Sequence, residues 1–317
     1  MGGEAMSVFI AGGTGFIGRR LTRSLVGLGE SVTVMDIAPQ DGDFDDLGDK
    51  VRVVRGDISQ FDDVMDKMSA AGADRVINLA YYIGNHHPPH VAMKLNVIGM
   101  DNFFEAARLT GAKRVVYASS LAVYGFQRHY GEREVNEDDF KHGDNQYSMH
   151  KIFNEWQAQD YRDKFGMSII GVRPTNVSGP DKIFGSVDHV KCIVRPARGK
   201  PTSFPYADYI RLPIHVDDIT EIFLRVLMAN DPKHALYNSG GTTISMGALA
   251  EMVRGYLPDA DITFENETGG KDESGVYLMD NSRVVDEFGI QLRPWPERVL
   301  QIINTVRAEE GLEPISG

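Results

Sequence analysis

Tyr147 and Lys151 stand four residues apart in Tyr147-Ser148-Met149-His150-Lys151, the spacing that puts two side chains on one face of a helix. An ammonium near a phenol stabilises the phenolate and lowers a pKa that starts near ~10, which suits a tyrosine to moving protons at neutral pH. Such pairs also arise by chance on helices, so this one takes its meaning from what precedes it. Upstream, Ser119-Ser120 ends a Val-rich run, where a hydroxyl either closes a strand or faces a site.

Near the start, Gly12-Gly13-Thr14-Gly15-Phe16-Ile17-Gly18 has G-x-x-G-x-x-G spacing between an apolar run and a helical pattern, the setting a dinucleotide loop requires. Gly12 allows the tight turn. Gly15 admits a pyrophosphate to the backbone at a helix N-terminus, where free N–H groups and the dipole favour anions. Gly18 lets helix and strand pack closely. Asp36 closes the second apolar run. A carboxylate there accepts both ribose hydroxyls of NAD and repels the extra phosphate of NADP, so NAD is expected. Arg19 and Arg20 are read as solvated helix charges rather than a 2′-phosphate site. Asp57-Ile58 and Asn78-Leu79-Ala80 follow the third and fourth runs, at strand ends where such sheets bind ligands.

The elements that must position these residues are short Val/Ile-rich runs at 7–11, 31–35, 51–55, 75–79, 114–118 and 168–172. Each reads as a buried parallel strand. Between them run helical patterns at 15–28, 60–70, 91–109 and 145–165. The alternation predicts an α/β fold, a doubly wound parallel sheet with a small C-terminal α/β substrate-binding domain. The dinucleotide-binding part is expected over 1–175 and the substrate part mainly over 176–317, with about 210–240 returning to the sheet. Six prolines between Pro174 and Pro213 mark the change to loop-rich texture, and helical patterns resume at 217–228, 245–256 and 295–308.

The chain has 317 residues, ordinary apolar and charged fractions, and a net charge of −12. Acidity argues against a nucleic-acid partner. The single cysteine, Cys192, excludes a disulfide framework and a Cys-rich zinc site, and fits a reducing compartment. No apolar run reaches 18 residues and no signal-peptide pattern opens the chain, so a cytoplasmic protein without membrane association is expected. His86-His87-Pro88-Pro89-His90 lacks a Cys or acidic partner at ligand spacing, and its prolines prevent helical alignment; it reads as a loop, and no metal is expected. His189 and Cys192, three apart, read as a surface imidazole and a buried thiol. His129 and Tyr130 are candidates to face the substrate.

Taken in order, these motifs resemble the extended short-chain dehydrogenase/reductases, the NAD-dependent epimerase/dehydratase family, over nearly the whole chain. Gly12–Gly18 resembles its cofactor loop (Rossmann type), Asp57-Ile58 its adenine-side pair, and Leu95-Asn96-Val97-Ile98-Gly99 its central asparagine motif. The segment from Val116 to Gly125 resembles the serine segment ending in VYG, which makes Ser120 the match to the catalytic serine. Tyr147 and Lys151 match YxxxK, the segment from Arg173 to Pro180 resembles the one closing the nicotinamide site, and Arg211–Asp218 the RxxxHVDD stretch.

The resemblance implies that Tyr147 removes the proton of a substrate hydroxyl while the nicotinamide carries the redox step, that Lys151 lowers the Tyr147 pKa and holds the ribose, and that Ser120 hydrogen-bonds the reacting oxygen. It implies cofactor contacts at Gly12, Gly15, Phe16, Ile17, Gly18, Asp36, Asp57, Ile58, Leu79, Ala80, Asn96, Ser119, Tyr147, Lys151 and Pro174. Substrate contacts are implied at Ser120, Tyr147, Asn176 and Arg211. Leu121 and Ala122 replace the acidic pair of the dehydratases, so dehydration is not expected. Gly269-Gly270-Lys271-Asp272 lacks the arginine that meets the diphosphate in nucleotide-sugar enzymes; a lysine is a point charge, not a fork. A sugar or sugar-derived substrate undergoing epimerisation leads the readings. Simple dehydrogenation of a small hydroxy or carbonyl compound is the alternative, and a non-catalytic NAD-binding regulator, which would normally have lost Tyr147 or Lys151, comes third. A homodimer is expected through the helical stretches carrying Phe103, Phe104, Ile152, Phe153 and Trp156.

Overall fold

The computed structural model describes residues 6–84 and 88–316; His86 and His87 of the histidine-proline segment lie outside the described residues. Five apolar runs become strands in order, β1 (Ser7–Ala11), β2 (Ser31–Asp36), β3 (Val51–Arg55), β4 (Arg75–Asn78) and β5 (Arg114–Ala118), followed by β6 (Ile169–Arg173). All pair in parallel, in the order β3-β2-β1-β4-β5-β6, with a seventh strand, Leu236–Asn238, beyond β6. Val8, Phe9, Ile10 and Ala11 of β1 are wholly buried, as a central strand covered on both faces demands.

Helices cover the two faces. Helix α1 (Gly18–Gly27) and the later Val216–Met228 helix bury one face, through Leu21, Leu25, Ile219, Ile222 and Phe223. Helices α2 (Phe61–Ala71), α3 (Pro89–Met93), α4 (Gly99–Thr110) and α5 (Gln146–Phe165) lie along the other, through Val64, Met68, Phe103, Phe104 and Ala158. The remaining chain supplies β7 (Asn176–Ser178), α6 (Asp188–Ala197), β8 (Thr202–Tyr206), β9 (Ile210–Arg211), β10 (Pro213–His215) and α7, the Val216–Met228 helix. Then come β11, the seventh sheet strand, β12 (Ile244–Ser245), α8 (Met246–Tyr256), β13 (Ile262–Asn266), α9 (Ser282–Phe288) and α10 (Trp295–Glu309). Of three two-stranded pairs, β10 with β7 packs on the central core through Ile214 and Val177, while β12 with β9 and β13 with β8 border a separate core of Cys192, Ile193, Leu249, Val253, Trp295, Val299 and Ile303.

Three expectations are corrected. The first helix begins at Gly18, because residues 12–17 are spent on the turn of the glycine loop. The helix expected over 91–109 runs on from Pro89 to Thr110, but its hydrogen bonding widens to a π-helical turn at Lys94–Ile98 between α3 and α4. There α5 reaches across: Asn154 Nδ2 donates to the Asn96 carbonyl at 2.9 Å and Gln157 Nε2 to the Val97 carbonyl at 3.3 Å, so these carbonyls are satisfied from outside the helix. Phe103 and Phe104 do not form an outer face; they are wholly buried, against Phe9 and Tyr117. Apolar exposure on α5 instead falls on Met149, Phe153 and Trp156. Among the described residues no helix is long and apolar enough to cross a membrane.

Candidate active site

The glycine loop closes tightly. Gly12 has φ +77°, and a Cβ there would lie 2.5 Å from the Ala80 nitrogen; a Cβ on Gly18 would strike the Gly12 carbonyl. The loop is therefore backbone packed on backbone, with Leu79-Ala80 as its floor: Gly12 N donates to the Met35 carbonyl, and Leu79 N to the Ala11 carbonyl, both at 2.8 Å. A Cβ on Gly15 would sit 3.1 Å from the Gly12 carbonyl. This bare cradle, at the carboxyl ends of β1 and β4 and the start of α1, fits a dinucleotide pyrophosphate.

Phe16 and Ile17 pack on the core beside it, and Asp36 ends β2 with its carboxylate toward the Ala38 N–H, 3.4 Å away. Asp57 accepts from Ser59 N at 2.8 Å, and Ile58 is buried against Gly99. Arg20 donates twice to Asp181, at 3.2 and 2.7 Å, and lies over the Phe16 ring; Arg19 is 3.8 Å from the same carboxylate. Both arginines are thus engaged by Asp181, in the loop that follows β7.

Asn96, buried in the π-helical turn, pairs its amide with the Tyr82 backbone, accepting from N at 2.8 Å and donating to O at 3.0 Å. It holds the chain that leaves β4. Pro174, after β6, accepts from Leu121 N at 3.0 Å and so fixes the start of the serine turn.

Helix α5 carries the phenol and the amine. A capping box between Asn145 and Ser148 starts it just before Tyr147. Lys151 is 2% exposed, and its Nζ donates to the Ala118 carbonyl at the end of β5 at 2.7 Å. Its Nζ lies 5.7 Å from the Tyr147 ring centroid and 3.2 Å from that of Tyr81. Burial raises the Tyr147 pKa, and a hydrogen bond with Ser120 opposes it. Burial drives the Lys151 pKa well down, and the Glu155 carboxylate one turn along α5 opposes that. Ser120 also accepts from Ala122 N at 3.1 Å, capping the turn at Leu121–Tyr124. Ser120, Tyr147 and Lys151 therefore meet at the carboxyl end of β5.

Ser119 points elsewhere. Its hydroxyl donates to Glu155 at 2.6 Å, within a buried set in which Arg173 and Lys141 hold the same carboxylate. Asn176 accepts from Leu212 N at 2.9 Å, tying β7 to β10. The Arg211 guanidinium is held at Nε and Nη2 by Asp188, with Nε 2.9 Å from Oδ2, and lies over Tyr209. His189 is wholly buried beside Asp188, not at the surface, and burial lowers its pKa to about 4; Cys192 is buried, its thiol pushed up to about 12. Lys271 pairs with Glu132 at 3.0 Å. The Tyr130 hydroxyl sits between the Tyr124 and Phe140 carbonyls, and His129 stacks on His142 at 4.3 Å. Among the described residues no group of three or more His, Cys, Asp or Glu is placed to hold a metal.

Tyr81, Asn154, Glu155 and Asp188 are absent from the motif reading. Glu155 was signalled by its spacing, one turn beyond Lys151 on the same face, and Tyr81 by its place directly after Leu79-Ala80. Asp188 had no signal in the sequence.

Residues 8–240 match the profile of the NAD dependent epimerase/dehydratase family. The chain belongs to that family. This epimerase/dehydratase-family protein is an NAD-dependent enzyme. It is 28% identical to a dTDP-4-dehydro-6-deoxy-D-allose reductase of a Streptomyces species, over 79% of this chain and 81% of that one. Its fold superposes on L-threonine dehydrogenase from Clostridium difficile with a TM-score of 0.85 at 19% identity, covering 98% and 100% of the two chains. The NAD complex of UDP-glucose 4-epimerase from Thermus thermophilus gives 0.82 at 21% identity, over 95% and 99%. These structural likenesses speak for the fold.

Proposed function

We propose that this protein epimerises a sugar or sugar-derived substrate at a hydroxyl-bearing carbon, with Tyr147 as the acid–base group. The observation that carries the reading is the meeting of Ser120, Tyr147 and Lys151 beside a side-chain-free glycine cradle. When bound, NAD supplies the hydride acceptor and donor. Gly12, Gly15, Phe16, Ile17, Gly18, Asp36, Asp57, Ile58, Leu79, Ala80, Asn96 and Pro174 would line its site, Ser119 through its backbone. Tyr147 takes the proton from the substrate hydroxyl and returns it. Ser120 orients the reacting oxygen. Lys151, as the ammonium, keeps the Tyr147 phenolate accessible. Leu121 and Ala122 carry no group that transfers a proton, which leaves dehydration out.

A second reading, net dehydrogenation of a compact hydroxy compound, is favoured by one feature. Asp188 pairs with Arg211 and Glu132 with Lys271, so the two cations that the resemblance would direct at a diphosphate are already engaged. The protein is further read as a homodimer, through Met149, Phe153 and Trp156 of α5, and as cytoplasmic, on the strength of its single buried cysteine.

The test is a panel of sugars, sugar acids and small hydroxy acids supplied with NAD. Product without net NADH supports epimerisation, and stoichiometric NADH supports dehydrogenation. Tyr147→Phe should cut turnover at least ~100-fold with NAD affinity little changed. Near-normal turnover in that variant would remove the acid–base assignment.

A further inference from the structure

We propose that Tyr81 is a positioning residue of the acid–base centre, its ring face holding the Lys151 ammonium in place. The inference rests on the reading of Tyr147 and Lys151 above and adds a residue from outside their helix. Lys151 Nζ lies 3.2 Å from the Tyr81 ring centroid. The same ring meets Tyr147 edge-on, centroids 5.6 Å apart and planes at 88°. Its hydroxyl donates to Asn154 Oδ1 at 3.1 Å, and Asn154 donates in turn to the Asn96 carbonyl at 2.9 Å. The ring is thus fixed at its hydroxyl end by Asn154 of α5 and borders both the amine and the phenol, which lie 5.7 Å apart (Nζ to ring centroid).

The groups that face Lys151 explain why a ring is suited to that place. Burial favours the neutral amine. The Ala118 carbonyl accepts one N–H. Glu155, on α5, has its carboxylate committed to Arg173 of β6, to Lys141 and to Ser119. Tyr117 of β5, near that carboxylate, is kept neutral by burial. Tyr147 is the phenol to be served. An aromatic face attracts a cation without being able to take its proton, most strongly where water is excluded. A carboxylate in the same place would compete with Tyr147 for the charge and the proton. The Tyr81 phenol is itself held far above its usual range by burial, so it does not act as a rival base.

The test reads Tyr147 directly, without substrate. In full-length protein saturated with NAD, tyrosines are labelled with carbon-13 at the hydroxyl-bearing ring carbon. The Tyr147 signal is the one lost in Tyr147→Phe. Tyr81→Leu, which keeps apolar bulk but removes the ring, should raise the Tyr147 ionisation midpoint by about one pH unit, a tenfold smaller phenolate population at fixed pH. Tyr81→Phe should stay near the wild-type midpoint. Fluorinated phenylalanines at position 81, which weaken the negative ring face at nearly constant shape, should raise the midpoint stepwise and cover the case in which Tyr81→Leu does not fold. No stepwise rise in the fluorinated series, or an equal rise in Tyr81→Phe, would overturn the proposal, the second by assigning the effect to the hydroxyl. Turnover by Tyr147→Phe would instead overturn the underlying reading of the site, so the two failures are distinguishable.

Discussion

Arg173 and Glu155 meet in a two-pronged ion pair, Nε to Oε1 and Nη2 to Oε2, each 2.8 Å, with both side chains buried. The pair joins β6 to α5 one turn beyond Lys151, so the height of α5 over the sheet is set by a charge-assisted fork. Arg173 also reaches the Tyr124 hydroxyl, and Lys141 closes on Glu155 at 2.6 Å.

Removing the carboxylate charge should therefore be costly. Glu155→Gln leaves Arg173 as an uncompensated buried cation and should lower the unfolding free energy by about 3–5 kcal/mol near neutral pH, measured by denaturant titration. The Glu155 carboxyl is held at about 2 against an ordinary 4.5. Its folded pKa is depressed, so its contribution is complete above pH 4.5 and is lost as pH falls toward 2. The gap between wild type and variant should narrow over that window; a gap independent of pH would contradict the assignment.

Asp36 ends β2 where an adenine ribose would lie. Asp36→Ala should weaken NAD binding and bring the NAD and NADP affinities closer together, as measured by fluorescence titration. Equal affinities in the wild type would remove the role given to this carboxylate.

The three residues at the end of β5 should rank by role. Lys151→Met should reduce both turnover and NAD affinity, because the amine would serve phenol and ribose together. Ser120→Ala should be milder than Tyr147→Phe, since one hydrogen bond to the reacting oxygen is lost and the proton shuttle remains. Steady-state kinetics and direct NAD titration on the same preparations check the order.

Met149, Phe153 and Trp156 repeat at helical spacing and are at least half exposed. Light scattering at micromolar concentration should report a dimer for the wild type and a shift toward monomer for Trp156→Glu. A monomeric wild type would count against this face as the contact between copies.

Asp188→Asn tests whether the Arg211 pair excludes a diphosphate. Calorimetry with uridine diphosphate should show affinity rising by roughly tenfold once Arg211 is released from its carboxylate. No gain would indicate that Arg211 is not directed at the substrate.

The sheet and the meeting of Ser120, Tyr147 and Lys151 were legible because each rests on local pattern. Val/Ile runs mark buried parallel strands, and Gly12, Gly15 and Gly18 stand where a Cβ would meet or crowd backbone. Tyr147 and Lys151 needed one helix to meet. What was hidden depends on contacts across elements. The π-helical turn at Lys94–Ile98 lies where Asn154 and Gln157 of α5 draw on the carbonyls of another helix. Phe103 and Phe104 looked like surplus apolar area because periodicity alone does not say which face of α4 meets the sheet. Ser119 and Ser120 are neighbours with one chemistry, yet alternation at the strand end sends the first to Glu155 and leaves the second beside Tyr147. Asp188 meets Arg211 across 23 residues of loop-rich chain, beyond the reach of any short pattern.

Strand β11 pairs with β6, yet it arrives only after the chain has built β7 to α7. The two halves are consequently interleaved, not serial. A fragment cut after residue 175 would lack Ile219, Ile222, Phe223 and Tyr237, which complete one face of the central core. The separate core around Cys192 and Trp295 draws on two stretches of chain, one between β7 and β10 and one after β11. Exchanging that core with a relative therefore means transplanting both stretches together.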